Sequence, residues 1–508
     1  MRRGAGLALL LAALPAFAGP VPAAAQGRGG WAAEDRILIS DFSNIVGVAS
    51  DDWRVYAATP NGLLTWDPAS QAWGLTLTFE DGYPVPEQSS ALAWSDAEQA
   101  LVLGTRMGRL WRVDPAAGRA DPLGAVPGPV EALLGGANGG LYVRTPSGWL
   151  ELPAGSMVPR PVAPPAEAQG EADPRLRSLG GVLGLDEHLR RWPVTAVVPG
   201  PRPDEFYVGT AGAGLLHVDA RTLQVTPLPY GATGRAVTAL AAWRGRLWFA
   251  AWPPARGRSS LASADTSLQH WSWPDPQQQG APAAEIAVLA VAGDRLWAGA
   301  GDGLYRLEGN GDAWQRFDVR DGLPSAAVVA LATSDSTLWV GTRRGACLWR
   351  GAGCGPTLLP GSEVTALAYC GRTLWIGTDE GLFGATAAEL VRAEPPGFSG
   401  RVQALACLNG ALYVAGPRLL LVQENGSWRP PIALGGSGTV RTMMADDAAI
   451  WVGGDAGAAR WDPAARAWSS YLVPGDVPAG PVLGVLPEGD RLWLATPAGA
   501  LRLELRDR

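Results

Sequence analysis

Residues 338–342 read LWVGT, and a pentad of this form recurs along almost the whole chain. The other copies begin at residues 55, 101, 141, 206, 247, 296, 374, 412, 450 and 492. Neighbouring copies lie roughly 40 residues apart, a spacing typical of arrays in which each repeat is one supersecondary unit. One longer gap separates the pentads at 141 and 206.

Each unit of this array has the pattern of four short strands. An apolar run such as VVALA at 328–332 precedes the pentad, and a glycine such as Gly345 usually arrives on the third residue after it. That spacing suits a tight hairpin whose last turn residue has positive φ, which glycine adopts at little cost. A third strand, a polar turn and often a fourth strand beginning at an aromatic residue follow. Four antiparallel strands in about 40 residues fit a propeller blade better than a helical repeat.

The chain therefore reads as an all-β β-propeller of about 11–12 four-stranded blades. Since propellers usually have about 4–8 blades, two six-bladed rings are favoured, with one large ring as the alternative. The predicted first propeller spans 36–285 and the second spans 286–508. A Pro/Ala-rich insertion near 153–175 and a degenerate unit at 177–192 fill the long gap.

The two ends of the chain complete each other in this scheme. The last unit supplies only three strands, whereas residues 36–42 (RILISDF) supply a spare strand before the first unit. Pairing of these segments would close the second propeller and remove two exposed strand edges.

Repetition also accounts for most of the 23 tryptophans. A large aromatic at one fixed strand position fills the wedge between neighbouring blades, and its burial contributes strongly to packing. The alternative, an aromatic platform for carbohydrate, requires exposed rings. Strict periodicity favours the core for Trp297, Trp339, Trp375, Trp451 and Trp493. The threonine that ends most pentads is expected to cap a hairpin through its hydroxyl.

The amino-terminal segment 1–25 has the layout of a cleaved signal peptide. Two arginines at positions 2 and 3 precede an apolar run at 7–17, and small-residue cleavage patterns follow at 16–18 and 23–25. Glycine and proline interrupt this run too early for a membrane span, which needs about 20 apolar residues. The sequence therefore predicts a bacterial protein exported to the periplasm or secreted, with no membrane span. The formal charge of −7 argues against a nucleic-acid partner, because phosphate binding needs clustered positive charge.

Four cysteines in an exported chain permit two disulfides. None of them lies in a CxxC pair, so a redox or zinc site has little support. Cys347 and Cys354 flank a tight hairpin, whereas Cys370 and Cys407 end equivalent apolar strands of adjacent units. These two pairings are predicted, and free thiols in a packed core are the alternative.

Residues 317–350, FDVRDGLPSAAVVALATSDSTLWVGTRRGACLWR, resemble the two-component regulator propeller repeat. The hallmarks of that repeat are a GLP turn, an apolar strand, an LW-V/I-GT pentad and then G-L. The segments LWIGTDEGLF at 374 and LWAGAGDGLYRLE at 296 are similar to it as well. The resemblance implies a β-propeller, and in that family such propellers are often periplasmic sensor regions of signalling proteins. Only the propeller region is matched here, without a kinase or a regulator domain.

Motifs for catalysis, metals and cofactors are absent from the sequence. Of the three histidines, His217 and His270 lie in strand-like repeats, and only His188 lies in the irregular unit. No Walker-type loop, HExxH or EF-hand pattern is present, so no catalytic residue, metal or cofactor is assigned. The leading hypothesis is an exported, sensor-like propeller that binds a protein partner or an extracellular ligand. The alternatives are a lyase or glycoside hydrolase acting on polysaccharide, and a structural component of a cell-envelope complex.

Binding is expected at one end of the second propeller. The loops between the second and third strands stay short but vary in sequence, which is how a repeat scaffold diversifies a surface. The connection between blades reaches the same end and adds Arg320 and Asp321. The alternative is that these charges are ordinary solvated hairpin tips. The predicted ligand-binding set comprises Asp302, Asp321, Arg343, Arg344, Asp379, Glu380, Arg418 and Asp455.

Overall fold

The computed structural model describes residue 31 and the ranges 35–95, 99–136, 140–156, 158–165, 182–186, 188–308, 312–334, 337–473 and 475–505. The predicted signal peptide lies outside the described residues, as do 157 and 166–175 of the predicted insertion and 177–181 and 187 of the degenerate unit. The described residues form 45 strands and three short 3-10 turns at Phe79–Asp81, Val85–Glu87 and Val319–Asp321. The strands lie in eleven separate antiparallel sheets, which confirms the all-β propeller class.

Blades 1 to 4 follow one another along the first half of the chain. Blade 1 comprises β2 (Gly47–Ser50), β3 (Val55–Thr59), β4 (Gly62–Asp67) and β5 (Ala72–Trp73). Blade 2 comprises β6 (Ser89–Ser95), β7 (Ala100–Thr105), β8 (Arg109–Asp114) and β9 (Arg119–Ala125). Blade 3 comprises β10 (Ala132–Gly135), β11 (Leu141–Thr145), β12 (Gly148–Leu152) and β13 (Arg160–Val162). Blade 4 comprises β14 (Val194–Pro199), β15 (Glu205–Thr210), β16 (Leu215–Asp219) and β17 (Gln224–Leu228).

Blades 5 to 8 continue with the same up-and-down order. Blade 5 comprises β18 (Gly234–Trp243), β19 (Arg246–Pro254), β20 (Leu261–Asp265) and β21 (Trp271–Ser272). Blade 6 comprises β22 (Ile286–Ala292), β23 (Arg295–Ala300), β24 (Gly303–Leu307) and β25 (Trp314–Phe317). Blade 7 comprises β26 (Val328–Ser334), β27 (Thr337–Thr342), β28 (Gly345–Arg350) and β29 (Gly353–Cys354). Blade 8 comprises β30 (Val364–Cys370), β31 (Thr373–Thr378), β32 (Leu382–Ala385) and β33 (Leu390–Ala393).

The last three blades complete the chain, and the final one borrows a strand from the amino-terminal part. Blade 9 comprises β34 (Ala404–Leu408), β35 (Ala411–Ala415), β36 (Leu419–Glu424), β37 (Ser427–Trp428) and β38 (Ile432–Ala433). Blade 10 comprises β39 (Val440–Ala445), β40 (Ile450–Gly454), β41 (Gly457–Asp462) and β42 (Ala467–Leu472). Blade 11 comprises β43 (Gly484–Glu488), β44 (Arg491–Thr496), β45 (Gly499–Glu504) and β1 (Arg36–Ile39).

Contacts between inner strands divide the eleven blades into two rings. The inner strands of blades 5 to 11 contact one another in sequence, and blade 11 returns to blade 5, which gives a seven-bladed ring two. The inner strand of blade 1 contacts those of blades 2 and 4, and blade 2 contacts blade 3. We call these four blades ring one, and their inner strands line one cavity of about 350 Å³.

Ring membership differs from the division at residue 285 that the sequence suggests. Blade 5 precedes that boundary, yet its inner strand packs between those of blades 6 and 11. The rings therefore change between residues 228 and 234, and their described blades number four and seven rather than six and six. In the described part of the degenerate unit there is one isolated bridge, Leu185 to Arg191, and no four-stranded sheet. The difference arises because the repeat pattern is the same on both sides of the true boundary.

β1 closes ring two. It pairs antiparallel with β45, with Arg36 opposite Leu503 and Ile39 opposite Ala500. This is the partner expected for the spare strand in the sequence. The turn at Gly499 has a φ of +143°, and a Cβ there would lie 2.2 Å from the carbonyl oxygen of Ile39. The pairing therefore requires glycine at this position.

Two chain segments connect the rings and lie side by side. Residues 40–46 lead from β1 into ring one, and residues 229–233 lead back, with a parallel bridge between Asp41 and Ala232. Gly231 has a φ of +89°, and a Cβ there would lie 2.6 Å from the carbonyl oxygen of Ser40. The crossing is covered by one hydrophobic cluster that both rings share and that contains Ile39, Phe42, Tyr207, Tyr230, Trp271 and Trp493.

Buried ion pairs also join the rings. Arg36 of β1 contacts Glu80, which follows blade 1, at 2.5 Å, and both side chains are almost fully buried. Arg36 additionally donates a hydrogen bond to the carbonyl oxygen of Asp476 at 2.8 Å. A buried pair of this kind needs both partners, since removal of one leaves an uncompensated charge.

A second charged network connects the irregular unit of ring one to blade 5 and the segment after it. Asp186 lies 3.0 Å from Arg190 and 3.7 Å from Arg258, and Arg190 lies 2.9 Å from Asp275. Arg258 stacks over the ring of Trp273 at 4.7 Å. Burial raises the pKa of Asp186, but hydrogen bonds from Trp192 and Arg190 and the charges of Arg190 and Arg258 outweigh burial and leave the pKa below its usual value.

The threonines that end the pentads cap the hairpins as predicted. Thr342 donates its hydroxyl proton to the carbonyl oxygen of Gly345 at 2.8 Å, and Thr378 and Thr496 make the same contact three residues ahead. The hydroxyl oxygen of Thr378 also accepts a hydrogen bond from the backbone amide of Gly381 at 3.1 Å. Each turn is therefore held by side-chain and backbone bonds together.

The periodic tryptophans divide into two groups. Trp297, Trp451 and Trp493 are at most 3% exposed and belong to the core. The ring of Trp297 lies 5.6 Å from that of Trp349 in the next blade, so it fills the wedge as expected. Trp339 and Trp375 are only partly buried, but both pack against hydrophobic core clusters, as predicted. Trp375 lines a cavity of about 400 Å³ between blades 8 and 9.

Two disulfides are present in ring two. Cys347 is bonded to Cys354 within blade 7, with a Cα–Cα distance of 5.7 Å. Cys370 is bonded to Cys407, with a Cα–Cα distance of 5.4 Å, and this bond joins the inner strands of blades 8 and 9. No described cysteine remains free.

Deletion of residues 27–43 is expected to destabilise ring two. The deletion removes Leu38 and Ile39, and each buried aliphatic side chain contributes about 1.5–3 kcal/mol. We therefore expect a loss of at least about 3 kcal/mol in the free energy of unfolding by chemical denaturation. A chain that begins at Trp31 and so retains β1 is the matched control. An unchanged melting curve for the deletion would show that β1 does not close the ring.

Substitution of Asp186 tests the network between the rings. Because Asp186→Asn removes the partner of a buried arginine, it should cost about 3–5 kcal/mol of unfolding free energy at pH 7. The folded pKa of Asp186 lies below its unfolded value, so its contribution is present above about pH 4 and is lost as the pH falls further. The difference in unfolding free energy between the wild type and Asp186→Asn should therefore become smaller as the pH falls below about 4. Asp121→Asn, at an exposed pair with Arg119, is the control and should change stability by less than about 0.5 kcal/mol. A variant as stable as the wild type at pH 7 would contradict this account.

Candidate functional site

The predicted binding residues lie at one end of ring two, which we call the hairpin face. Hairpins between second and third strands of a blade all open toward the same end of a propeller, because every blade runs in the same up-and-down order. Five consecutive blades, 6 to 10, carry the predicted residues on these turns. Asp321 lies in the 3-10 turn Val319–Asp321 on the connection between blades 6 and 7.

Three of the predicted acids are engaged within the protein. The Asp302 carboxylate accepts a hydrogen bond from the Tyr305 hydroxyl at 2.9 Å. Burial raises the pKa of Tyr305 and the negative charge of Asp302 raises it further, so the phenol stays protonated and donates. Asp455 pairs with Arg441 at 2.5 Å. The Asp321 carboxylate accepts a bond from the Asp318 amide at 2.8 Å and so caps its own turn.

The other predicted residues have free side chains. Each is exposed, and none makes a side-chain hydrogen bond or an ion pair with another described residue. These residues are Arg343, Arg344, Asp379, Glu380 and Arg418. Two cations on blade 7 therefore lie one blade away from two anions on blade 8, on hairpins fixed by Thr342 and Thr378.

Cavities lie elsewhere in the molecule. The inner strands of ring two line a central cavity of about 430 Å³, whose walls are mainly Ala, Val, Leu and Thr. The largest of these cavities, about 480 Å³, lies where blades 1 and 4 of ring one meet blade 5 of ring two. We call it the junction cleft. None of the predicted hairpin-face residues lines either cavity.

Sequence reasoning missed the junction cleft. The cleft brings together two of the three histidines, His217 of blade 4 and His270 of blade 5, with Arg202 and Glu205. The rarity of histidine was the only available signal, and both residues looked like ordinary strand positions. Their proximity depends on ring packing, which the repeat pattern does not encode.

One wall of the cleft carries a short chain of polar contacts. The guanidinium of Arg202 lies 3.4 Å from the carboxylate of Glu205, whose Oε1 lies 3.6 Å from Nε2 of His217. The His217 ring packs against the Tyr207 ring, with centroids 5.2 Å apart. Burial raises the pKa of Tyr207 to about 12, with a further contribution from the charge of Glu205.

The other side of the cleft is held together by blade 5. The side chain of Gln269 accepts a bond from the Trp73 amide at 2.7 Å and donates to the Trp73 carbonyl oxygen at 3.2 Å. It therefore pairs with the edge of blade 1 as a further strand would. His270 is exposed and lies 3.0 Å from Asp265. Burial raises the pKa of Asp265, but the hydrogen bonds from His270 and its neighbours lower it well below its usual value.

Within the described part of the chain, no group of three or more His, Cys, Asp or Glu side chains is arranged to hold a metal ion. Among the described helices, none has the length and apolar character needed to cross a membrane.

Comparison with known proteins finds only remote structural likenesses. No protein-family model and no curated protein matches it. The extracellular domain of a putative one-component system from B. thetaiotaomicron is 13% identical, over 90% of this chain and 69% of that chain, with a TM-score of 0.44. The extracellular domain of a putative hybrid two-component system from B. thetaiotaomicron is 13% identical, over 89% of this chain and 67% of that chain, with a TM-score of 0.45.

PorZ is another similar structure and is described as an essential bacterial surface component of the type-IX secretion system of Porphyromonas gingivalis. It is 14% identical, over 91% of this chain and 69% of that chain, with a TM-score of 0.46. These likenesses are remote, and the propeller assignment rests on the strand pairing within this chain.

Proposed function

We propose that this chain is an exported β-propeller that binds a protein partner or an extracellular ligand through the hairpin face of ring two. Export is supported by the signal-peptide pattern at 1–25. It is also supported by the two disulfides, which persist in oxidising compartments outside the cytoplasm.

The observation that carries the proposal is the free charge on the hairpin face. Arg343 and Arg344 are exposed and have no internal anionic partner among the described residues. An arginine pair of this kind recognises carboxylate or phosphate groups in a bidentate manner. Asp379 and Glu380 on the next blade add the opposite charge, which gives orientation and specificity to a polar partner.

The hairpins present these side chains on a rigid support. Thr342 is fully buried and bonds across its turn, so the backbone of Arg343 and Arg344 is already ordered before binding. Pre-organisation lowers the entropy cost of association, and the remaining cost is mainly that of the two arginine side chains.

The double variant Arg343→Ala/Arg344→Ala tests this function. We expect capture of native partners from the cell envelope to fall at least about tenfold, because charge contacts at a rim govern association and are weakened by salt. Thermal stability should stay unchanged, since both side chains are exposed and neither makes a hydrogen bond or an ion pair with another described residue. The measurements are quantitative mass spectrometry of captured proteins and a melting curve.

The matched control removes two arginines from the opposite end of ring two. Arg372 is exposed in the turn between β30 and β31, and Arg295 is exposed at the start of β23, where it lies 3.5 Å from Glu308. Arg295→Ala/Arg372→Ala should retain capture. Unchanged capture by the Arg343/Arg344 variant would reject the hairpin face as the binding surface.

A further inference from the structure

The junction cleft is a second site, separate from the hairpin face. Its walls come from three blades of two rings, and its volume of about 480 Å³ lies within the range of small-molecule sites, about 300–1,000 Å³. Gln269 and the shared core hold these blades together. The cleft is therefore preformed, and its chemistry is independent of the function proposed for ring two.

Aromatic rings form much of the lining. Trp66 and Trp73 come from blade 1, Tyr207 from blade 4 and Trp271 from blade 5. Trp66 and Trp73 pack edge to face with centroids 5.0 Å apart. Aromatic faces carry partial negative charge and attract a cation more strongly when water is excluded.

Two polar side-chain atoms of the cleft lack a hydrogen-bond partner in the described part of the chain, and both belong to blade 4. Oε2 of Glu205 and Nε2 of His217 are buried and have no hydrogen-bond partner among the described residues. An ionised carboxylate can only accept hydrogen bonds, and a neutral imidazole nitrogen that lacks a proton also accepts. A buried acceptor without a partner costs about 1–3 kcal/mol, so a bound donor would be favourable here.

Arg202 does not donate a hydrogen bond to the unpaired oxygen of Glu205. Its guanidinium is divided between Oε1 of Glu205 and the carbonyl oxygen of Pro68, each at 3.4 Å, and the side chain is more than half exposed. The second carboxylate oxygen of Glu205 stays without a donor. His270, the second histidine of the lining, lies 3.0 Å from the Asp265 carboxylate.

We propose that the junction cleft binds an organic ammonium ion, with the ammonium group at Glu205 and His217 and its apolar substituent against Trp66, Tyr207 and Trp271. A primary ammonium supplies three hydrogen-bond donors and a positive charge beside an acceptor and aromatic faces. An anionic ligand would be repelled by the Glu205 carboxylate, and a neutral ligand would not gain the attraction between opposite charges. The ammonium group belongs either to a free amine or to a lysine side chain of a polypeptide.

Calorimetric titration of the full mature chain tests the proposal with three probes of one shape. The probes are benzylammonium, the neutral isostere benzyl alcohol and the anion benzoate. Benzylammonium should bind at least about tenfold more tightly than either of the others, because it alone donates hydrogen bonds to the Glu205 carboxylate from a positively charged group. Equal binding of the three probes, no binding of benzylammonium, or preference for benzoate or benzyl alcohol would overturn the proposal.

Variants identify the site. Glu205→Gln keeps the shape of the side chain and should weaken benzylammonium at least tenfold while leaving benzyl alcohol unchanged. Glu363→Gln, at an exposed pair with Arg401 in ring two, is the control and should bind as the wild type does. His217→Phe removes the second acceptor and should weaken benzylammonium several-fold. It provides the test if Glu205→Gln lowers the melting temperature. Wild-type affinity in a folded Glu205→Gln or His217→Phe variant would contradict the assignment.

A lysine-containing peptide distinguishes the two sources. Binding of the peptide more tightly than benzylammonium, with loss on acetylation of the lysine, assigns a polypeptide side chain. Binding of benzylammonium alone assigns a free amine. Both results depend on the same ammonium contact, and neither requires Arg343 or Arg344.

Discussion

The pairing of β1 with β45 is the constraint on which the architecture depends. The chain contributes its first described strand to ring two, builds ring one, and only then builds the rest of ring two. Ring two is therefore incomplete until both ends of the chain have met, and ring one is inserted within it. The two connecting segments pair at Asp41 and Ala232 and share a buried core. Separation of the rings would expose that core.

Charge reinforces this joint. Two buried networks, Arg36 with Glu80 and Asp186 with Arg190 and Arg258, span the rings. Such pairs add little net stability compared with apolar packing. Separating or removing one partner leaves an unpaired buried charge, which is costly, so the pairs fix one relative position of the rings. The shape of the junction cleft depends on this fixed position of the rings, because its three blades come from both rings.

The repeat separates architecture from surface. In the hairpins that carry a threonine, this residue and the following glycine serve the turn, while the residues between them are free to vary. The hairpin face shows both outcomes, since Asp302 and Asp455 serve internal contacts and Arg343 and Arg344 do not. Residue type alone does not separate these cases, because the difference lies in whether Tyr305 or Arg441 is within reach.

The sequence by itself determined the blades, the threonine caps, a spare strand at 36–42 and two plausible cysteine pairs. The blades, the threonine caps and the cysteine pairs depend on hydrogen bonds or contacts within one unit or between consecutive units, and the blades and caps recur with the period. The spare strand is visible for a different reason, because it precedes the first unit and the last unit lacks a fourth strand. Tertiary structure alone decided that blade 5 belongs to ring two, that Trp375 lines a cavity, and that His217 and His270 share a cleft. Those features depend on which inner strands pack when a ring closes, and this long-range choice leaves no mark on a pattern that is the same in both rings.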